Sequence, residues 1–538
     1  MKVLVIAHSA DLVETGERAF VHQLDTPGSD LLTYSSLISS SECAAIDREA
    51  YRQARSWYVR YGSDRTVVDG VSLGHAFEYA ATETLIRHYR AAFVLRKLLA
   101  DSANRTVCLR GVGAEWWTMA RALGAEPTAQ GPGIVPSPAS GSHPTPPSRS
   151  CRLAARIAGV FPPKNPWLVL VGSPAWARPY HRHLLRTAPA QLVDPGRGVL
   201  VSAIGQRARV TSIWLADLDQ GRRSPTLSDL AAMSPEKEPL RAVEARFALL
   251  QASMSSWARA GRRIGRPGAG AVAAQDVLPP ARAFLLGLRA AGGSVVTLEH
   301  GLSGGYTELV SSVANIEAVW GEPQASYTRA ASQSGLRVVS VGWPRLESAE
   351  AVAPPRDDVW DLLHFSQPSE DLSAGNWPED NLLALQMVDD YAERHPERRV
   401  AIKLHPANEA LGFAVPPIRH ARLVTAESLT LIRSARVVLV GRSTTGLEAM
   451  CLGRPVLQVP ARGYIGPTEF IAESGATLPV NSADELAAAM EHLLSDRSAY
   501  GDAIERGRAY ARSFIHGFGQ PGTAVRRLAD LVAELRHS

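Results

Sequence analysis

Short apolar runs alternate along this chain with longer stretches in which apolar residues recur every third or fourth position. That is the rhythm of strands and amphipathic helices in an α/β fold. Residues 2–7, 31–34 and 106–110 read as strands, and 76–99 and 116–123 as helices. From 127 to 166 the rhythm stops. The chain there is dense in Pro, Gly and Ser around Pro144-Thr145-Pro146-Pro147. Such a composition buries too little apolar surface to order itself and predicts a flexible insertion. The pattern resumes with strands at 167–171 and 198–204, a helix at 240–260, a strand at 271–274, a helix at 280–291 and a strand at 294–298. Pro280 suits the helix start, where its missing N–H is not needed. Strands at 316–320 and 338–341 follow, then 362–365, the run into Lys403, 422–424, 437–440 and 456–459, with a helix at 381–394. Ser482 and Glu485 predict a capping box for a helix at 483–494. A last helix is expected at 523–535.

This rhythm predicts residues 1–126 and 167–347 as two parts of an N-terminal α/β domain around the 127–166 insertion. Residues 348–522 then form a C-terminal α/β domain, and 523–538 a terminal helix. A length of 538 residues agrees with more than one core. Hydrophobic content of 45% and charged content of 20% describe globular rather than disordered chain. A net charge of +4 without a Lys/Arg-rich block argues against a nucleic-acid binder. Cys43, Cys108, Cys151 and Cys451 contain no C-x-x-C pair and fit no zinc spacing, so a reducing compartment is expected and no metal. The N-terminus lacks the apolar segment of a signal peptide, and no run has the length of a membrane span. The expected location is the cytoplasm, with contact at the inner face of the membrane at most peripheral.

Candidate chemistry gathers where strands end, which is where open α/β sheets bind ligands. Lys403-Leu404-His405-Pro406 closes one apolar run and Arg442-Ser443-Thr444-Thr445-Gly446-Leu447-Glu448 follows another. Lys403 and His405 share a face if the strand persists, and Pro406 ends it. An ammonium and an imidazole there suit a departing phosphate. Ser443, Thr444 or Thr445 can cap the next helix, whose N-terminus favours an anion. Glu448, one turn in, can accept from ribose hydroxyls or a base N–H. A solvated lysine, a loop histidine and an ordinary cap would look the same. In the other half Glu299-His300-Gly301 follows a strand, so either Glu299 or His300 can serve as a general base. Gly301 allows close approach of backbone. Gly342, Arg345 and Gln367 sit at further strand ends, as does Asp276, which suits a helix cap equally well.

The order of these motifs resembles a known family. Asp276…Pro280…Arg282, Glu299-His300-Gly301, Trp320-Gly321, Gly342-Trp343-Pro344-Arg345, Lys403-Leu404-His405-Pro406 and Ser443…Glu448-Ala449…Gly453-Arg454-Pro455 resemble the GT-B glycosyltransferases of bacterial surface polysaccharides. The nearest groups are the capsule Kdo- and sialic-acid (polysialic-acid) transferases and the CDP-glycerol glycerophosphotransferases. The resemblance covers about 271–480. It implies two Rossmann-like, doubly wound domains facing across a cleft. It implies that His405, Ser443, Thr444 and Thr445 hold the donor's phosphate and nucleotide. In the sialyltransferase-like pattern the base falls on Glu299, and in the glycerophosphotransferase-like pattern on His300. The Glu-x7-Glu pair of many retaining relatives is missing, since counting seven or eight positions back from Glu448 gives Gly441 and Val440. The Asp-Ser-Gly-Gly of nucleotide-sugar 2-epimerases is replaced by Arg442-Ser443-Thr444-Thr445.

The expectation is a metal-independent glycosyltransferase without cofactor, moving a sugar from a nucleotide-activated donor, a CMP-sugar by preference. The acceptor would be a hydroxyl of a glycan, a lipid-linked glycan or a protein. Glycerophosphate transfer from a CDP donor is one alternative. A non-catalytic nucleotide-binding member of a polysaccharide assembly complex is another.

Overall fold

The computed structural model describes residues 4–9, 12–14, 18–23, 31–60, 62–100, 106–129, 168–171, 177–187, 190–194, 199–204, 207–211, 237–274, 277–299, 301, 313–332, 335–347, 359–367, 378–406, 408, 415–441, 443–460 and 474–536. Three parallel or mostly parallel sheets carry the architecture.

The first is a small sheet of β1 (Leu4–Ser9), β2 (Arg18–Gln23), β3 (Thr106–Arg110) and β4 (Glu126–Ala129) in the order β2-β1-β3-β4. Its helices are α1 (Ser40–Ala54), α2 (Leu73–Ala100) and α3 (Ala114–Ala122). The strand expected at 31–34 is instead a single bridge at Leu32 followed by a short helix, Tyr34–Leu37, which Ser36 closes onto the Thr33 backbone. The expected insertion begins later than its composition suggests. Pro127 lies in β4, an edge strand, where the missing N–H is tolerated. The remainder, 130–166, lies outside the described residues.

The second sheet is built by β5 (Leu168–Val171), β6 (Ala190–Asp194), β7 (Val199–Ile204), β8 (Arg207–Thr211), β9 (Gly270–Ala273), β10 (Ser294–Leu298), β11 (Ile316–Val319) and β12 (Arg337–Ser340). Its order is β8-β7-β6-β5-β9-β10-β11-β12. The helices between them are α4 (Arg178–Thr187), α5 (Glu238–Ile264), α6 (Pro279–Ala290) and α7 (Glu322–Ala331). The two N-terminal parts expected from the sequence hold separate sheets: β1–β4 pair only among themselves. The two parts join through helices. Phe77, Leu85 and Ile86 of α2 pack with Val243, Phe247 and Met254 of α5. Buried Arg282 of α6 donates to the Ala76 carbonyl at 3.0 Å and pairs with Glu78 at 3.6 Å.

The third sheet comprises β13 (Trp360–Phe365), β14 (Val400–Lys403), β15 (Arg422–Leu423), β16 (Ala435–Val440), β17 (Val456–Gln458) and β18 (Leu478–Pro479), ordered β15-β14-β13-β16-β17-β18 and wholly parallel. This is the Rossmann strand order. Around it lie α8 (Pro378–Arg394), α9 (Ser428–Arg433), α10 (Thr444–Cys451), α11 (Ala483–Ser495) and α12 (Arg497–Phe514). Its strands are apolar at consecutive positions because both faces are covered. Leu362, Val437 and Leu439 meet Leu385, Val388 and Met490 on one face. Leu363, Val438 and Val440 meet Leu447 and Met450 on the other. The predicted capping box at α11 is half formed: Ser482 accepts from the Glu485 N–H, but the Glu485 carboxylate turns to the N–H of Asn481.

The chain then returns. Helix α13 (Thr523–Leu535) lays Ala524, Leu528, Leu531 and Val532 on the second sheet, against Leu170, Val272, Val296 and Val341. The segment 514–516 that leads to it runs past the ends of β11 and β12. The His516 N–H donates to the Trp320 carbonyl at 2.8 Å. A Cβ on Gly321 would sit 1.8 Å from the Phe514 carbonyl oxygen, so only glycine permits this approach. Gly342, at φ +98°, faces the His516 carbonyl in the same way. Glu347 fixes the N-terminus of α13 by accepting from the N–H groups of Gly522 and Ala524. The fold is thus α/β with two Rossmann-like domains facing each other and a return helix tying the C-terminal one to the N-terminal one.

Candidate functional site

In the C-terminal domain the chain leaves β13, builds outward through β14 and β15, and then restarts at β16 on the other side of β13. The strand order thus reverses between β13 and β16, and such a switch point is where an open α/β sheet holds its crevice. Gln367 and Gly441 line it: a Cβ on Gly441 would lie 3.2 Å from the Gln367 Cγ. Gln367 is held in place by its N–H donating to Asn381 Oδ1 at 3.0 Å. Next door, Lys403 ends β14 half-buried, and His405 and Pro406 are exposed. The His405 backbone is fixed, since its N–H donates to Ser366 Oγ at 2.9 Å and its carbonyl accepts from the N–H of buried Asn408 at 2.9 Å. Of the three hydroxyls after β16, Ser443 is the cap: its Oγ accepts from the Thr445 N–H at 3.2 Å. Thr444 and Thr445, half-buried, open helix α10. The outcome is a helix N-terminus, a lysine and an exposed imidazole at the same, C-terminal end of a parallel sheet. That combination attracts an anion.

The strand ends of the N-terminal domain look different. Glu299 follows β10 and is 5% exposed. Its Oε2 accepts from the Trp320 N–H at 2.7 Å. Burial pushes its carboxyl well above the usual carboxylate range; the Trp320 N–H opposes this and neighbouring Glu317 adds to it. Trp320 in turn stacks on Trp343, with ring centroids 3.9 Å apart and planes 8° from parallel. Both indoles enter the core that also holds Leu363, Leu447 and Phe514. Glu299 thus belongs to the packed seam between the domains. Gly342, expected at the cleft, belongs to the same seam.

Gly301 brings the two halves together. A Cβ built on it would lie 3.5 Å from Thr444 Oγ1. The end of β10 therefore reaches the first residue of α10 across the domain boundary. A second link is electrostatic. Arg345, beyond β12, pairs with Glu448 of α10 at 3.3 Å and with Glu427, the cap of α9. Glu448 is buried, and burial pushes its carboxyl up to about 7, against the opposing pull of Arg345. The carboxylate expected to meet a ribose is thus engaged with a cation of the other domain. His300 and Arg442 lie outside the described residues, as does Asp276.

Sequence reasoning overlooked Ser366, Asn381 and Asn408, which hold the crevice loops. Asn408 follows His405-Pro406 by two positions, and an amide so near a strand-ending proline was the available signal; its burial shows only in the structure. Among the described residues no cluster of His, Cys, Asp or Glu has the make-up of a metal site, and no helix is long and apolar enough to cross a membrane.

No family model and no curated protein matches the chain. Several solved structures resemble it remotely. The calicheamicin glycosyltransferase CalG4 shares 15% identity over 81% of this chain and 98% of its own, with a TM-score of 0.37. A putative UDP-N-acetylglucosamine 2-epimerase from Listeria monocytogenes shares 12% over 69% and 98%, with a TM-score of 0.40. S. aureus TarM, in a complex with Fondaparinux, alpha-GlcNAc-glycerol and UDP, shares 10% over 53% of this chain and 59% of its own, with a TM-score of 0.34. Likeness at this level assigns no chemistry to the residues above.

Proposed function

We propose that this chain is a transferase that moves a sugar from a nucleotide-activated donor to a hydroxyl acceptor. The observation that carries this reading is the meeting of Gly301 with Thr444, which sets a strand end of one Rossmann-like domain against a phosphate-suited helix start of the other. The donor's phosphate sits on the N-terminus of α10, with Ser443, Thr444 and Thr445 around it; Arg442, next in sequence, would add a cation. Lys403 neutralises the charge that develops on the leaving nucleotide, and His405 protonates or hydrogen-bonds its phosphate oxygen. The acceptor enters from the side of Gly301. Its oxygen forms a bond to the anomeric carbon as the carbon–oxygen bond to phosphate breaks. The electron pair leaves with the nucleotide, and the acceptor's proton goes to a base.

That base is His300 rather than Glu299. The burial of Glu299 and its bond to the Trp320 N–H support this, since a carboxyl held in the seam and kept towards its neutral form is a poor acceptor of a substrate proton. The same burial gives weight to the second reading, glycerophosphate transfer from a CDP donor, because the resemblance places the base of that group on His300. In that case the acceptor oxygen attacks phosphorus and CMP leaves. A CMP-sugar remains the preferred donor, no metal takes part, and the acceptor is a surface glycan or glycoconjugate handled at the cytoplasmic face.

Turnover with candidate donors tests this. His300→Ala is expected to lose about a thousandfold in kcat while nucleotide binding persists, and Glu299→Gln to stay within a few-fold of wild type. Loss in the second variant and not in the first contradicts the assignment. Phosphorus on the product identifies the glycerophosphate route.

A further inference from the structure

The return of the chain to the N-terminal domain leaves a cleft away from the crevice just described. It has a volume of about 720 Å³ and is lined by α7, β12, the end of α12, the segment 515–520 and the first turns of α13. None of its lining residues belongs to the crevice. Its charge is one-sided. Arg329, Arg337, Arg512 and Arg527 line it, against the single lining carboxylate of Glu322, while Arg337 also pairs with Glu534 at 2.8 Å. Glu322 is already bonded to Arg329 at 2.6 Å and accepts from Ser326 at 3.3 Å. Arg527 is directed at His516, its Nη1 donating to the imidazole Nε2 at 2.6 Å. That geometry requires a neutral His516 protonated at Nδ1. Burial and the neighbouring guanidinium both lower its pKa, consistent with this form.

The floor of the cleft also offers backbone donors. β12 is the edge strand of its sheet. The N–H groups of Arg337 and Val341 donate inward to Asn315 and Val319. By the alternation of a parallel ladder, the peptide groups of Val338 and Ser340 face the open edge. Guanidinium forks beside edge-facing N–H donors suit phosphate, which arginine binds through paired hydrogen bonds. The volume falls in the range of small-molecule sites.

We propose that this cleft is a second binding site, for a ligand presenting two adjacent phosphate groups. Its walls come from the edge strand of the N-terminal domain, the last turn of the C-terminal domain's helix α12 and the return helix, so an occupant spans the domain boundary. The ligand's source is either a free diphosphate compound or a phospholipid head group, and the two are separated by the probes below.

Calorimetry with inorganic pyrophosphate and sedimentation with vesicles containing a lipid diphosphate (diacylglycerol pyrophosphate) supply the test. The proteins are wild type, an Arg512→Gln/Arg527→Gln double variant, a control with exposed Arg52 and Arg394 changed to Gln, and Ser443→Ala. Thermal melting of each confirms folding. The expected result is a binding event that weakens at least tenfold in the cleft variant and persists in the control and in Ser443→Ala, where any separate crevice event is the one lost. Response to pyrophosphate names a soluble ligand; response to vesicles alone names a head group. No binding of either probe overturns the proposal. So does equal loss in the cleft and control variants, which means diffuse attraction, or loss in Ser443→Ala instead, which places the anion in the crevice.

Discussion

The two Rossmann-like domains put their strand ends to opposite uses. In the C-terminal domain, Ser366, Gln367, Lys403, His405 and Ser443 end strands β13, β14 and β16 beside an open crevice, and their loops are braced from behind by Asn381 and Asn408. In the N-terminal domain, Glu299, Trp320, Gly321 and Gly342 end strands β10, β11 and β12 inside a packed seam with residues 514–516. Position on the sheet is equivalent; environment is not. A polar residue at a strand end is therefore available to a ligand only if no later part of the chain returns to cover it. Here the return segment covers β11 and β12, leaving Gly301 at the end of β10 against α10.

Glycines give the sharpest contrast. Gly321→Ala should cost about 3 kcal/mol or abolish folding, because its Cβ meets the Phe514 carbonyl at 1.8 Å, where backbone cannot yield. Gly441→Ala should cost under about 1 kcal/mol, because its Cβ meets a flexible glutamine side chain at 3.2 Å. Urea unfolding of both variants checks this, and equal costs would break the distinction between seam and crevice.

Carboxyls come next. Glu299→Ala orphans the buried Trp320 N–H and should cost about 1–3 kcal/mol, whereas Glu299→Gln keeps an acceptor and should cost less. Glu448 carries a pH signature. Its folded pKa is raised, so its contribution is complete below the ordinary value of 4.5 and is lost as pH rises through about 7. Over that window wild type should lose stability relative to Glu448→Gln by an amount on the order of 3 kcal/mol. Parallel pH profiles for the two proteins would contradict the burial of this carboxyl.

The crevice variants should be mild in stability and strong in binding. Ser443→Ala removes the cap of α10, costing about 1 kcal/mol, and weakens nucleotide binding with it. Lys403→Ala should change stability by no more than about 0.5 kcal/mol, yet weaken binding of a nucleotide diphosphate about tenfold, as expected for a charge-assisted contact. Thermal melting beside calorimetry reads both effects.

Strands and helices with strong local signals were legible. Thr106–Arg110, Ser294–Leu298 and Thr523–Leu535 form over the expected residues because their apolar pattern, not their partners, specifies them. Strand β2 was missed since Arg18 and His22-Gln23 leave only a short apolar core in it. Helix α1 is mostly polar, though Ser39 and Glu42 form the capping box that could have announced it. Helix α12 likewise begins at a cap, Asp496, without a strong apolar stripe. Pairing between distant strands is decided by tertiary contact, so the separation of the N-terminal strands into two sheets left no local trace. The cap at Ser443 could be read directly. The burial of Glu299 could not, because it depends on Trp320 and on residues near 515, far away along the chain.

The central claim is that the open strand ends of the C-terminal domain seat a nucleotide. Calorimetric binding of CMP, CDP, UDP, GDP and dTDP to wild type and to His405→Ala tests it most directly. The account predicts selective binding of one nucleotide, cytidine by preference, that is lost or much weakened in the variant. Binding of none, or binding indifferent to His405, would contradict it.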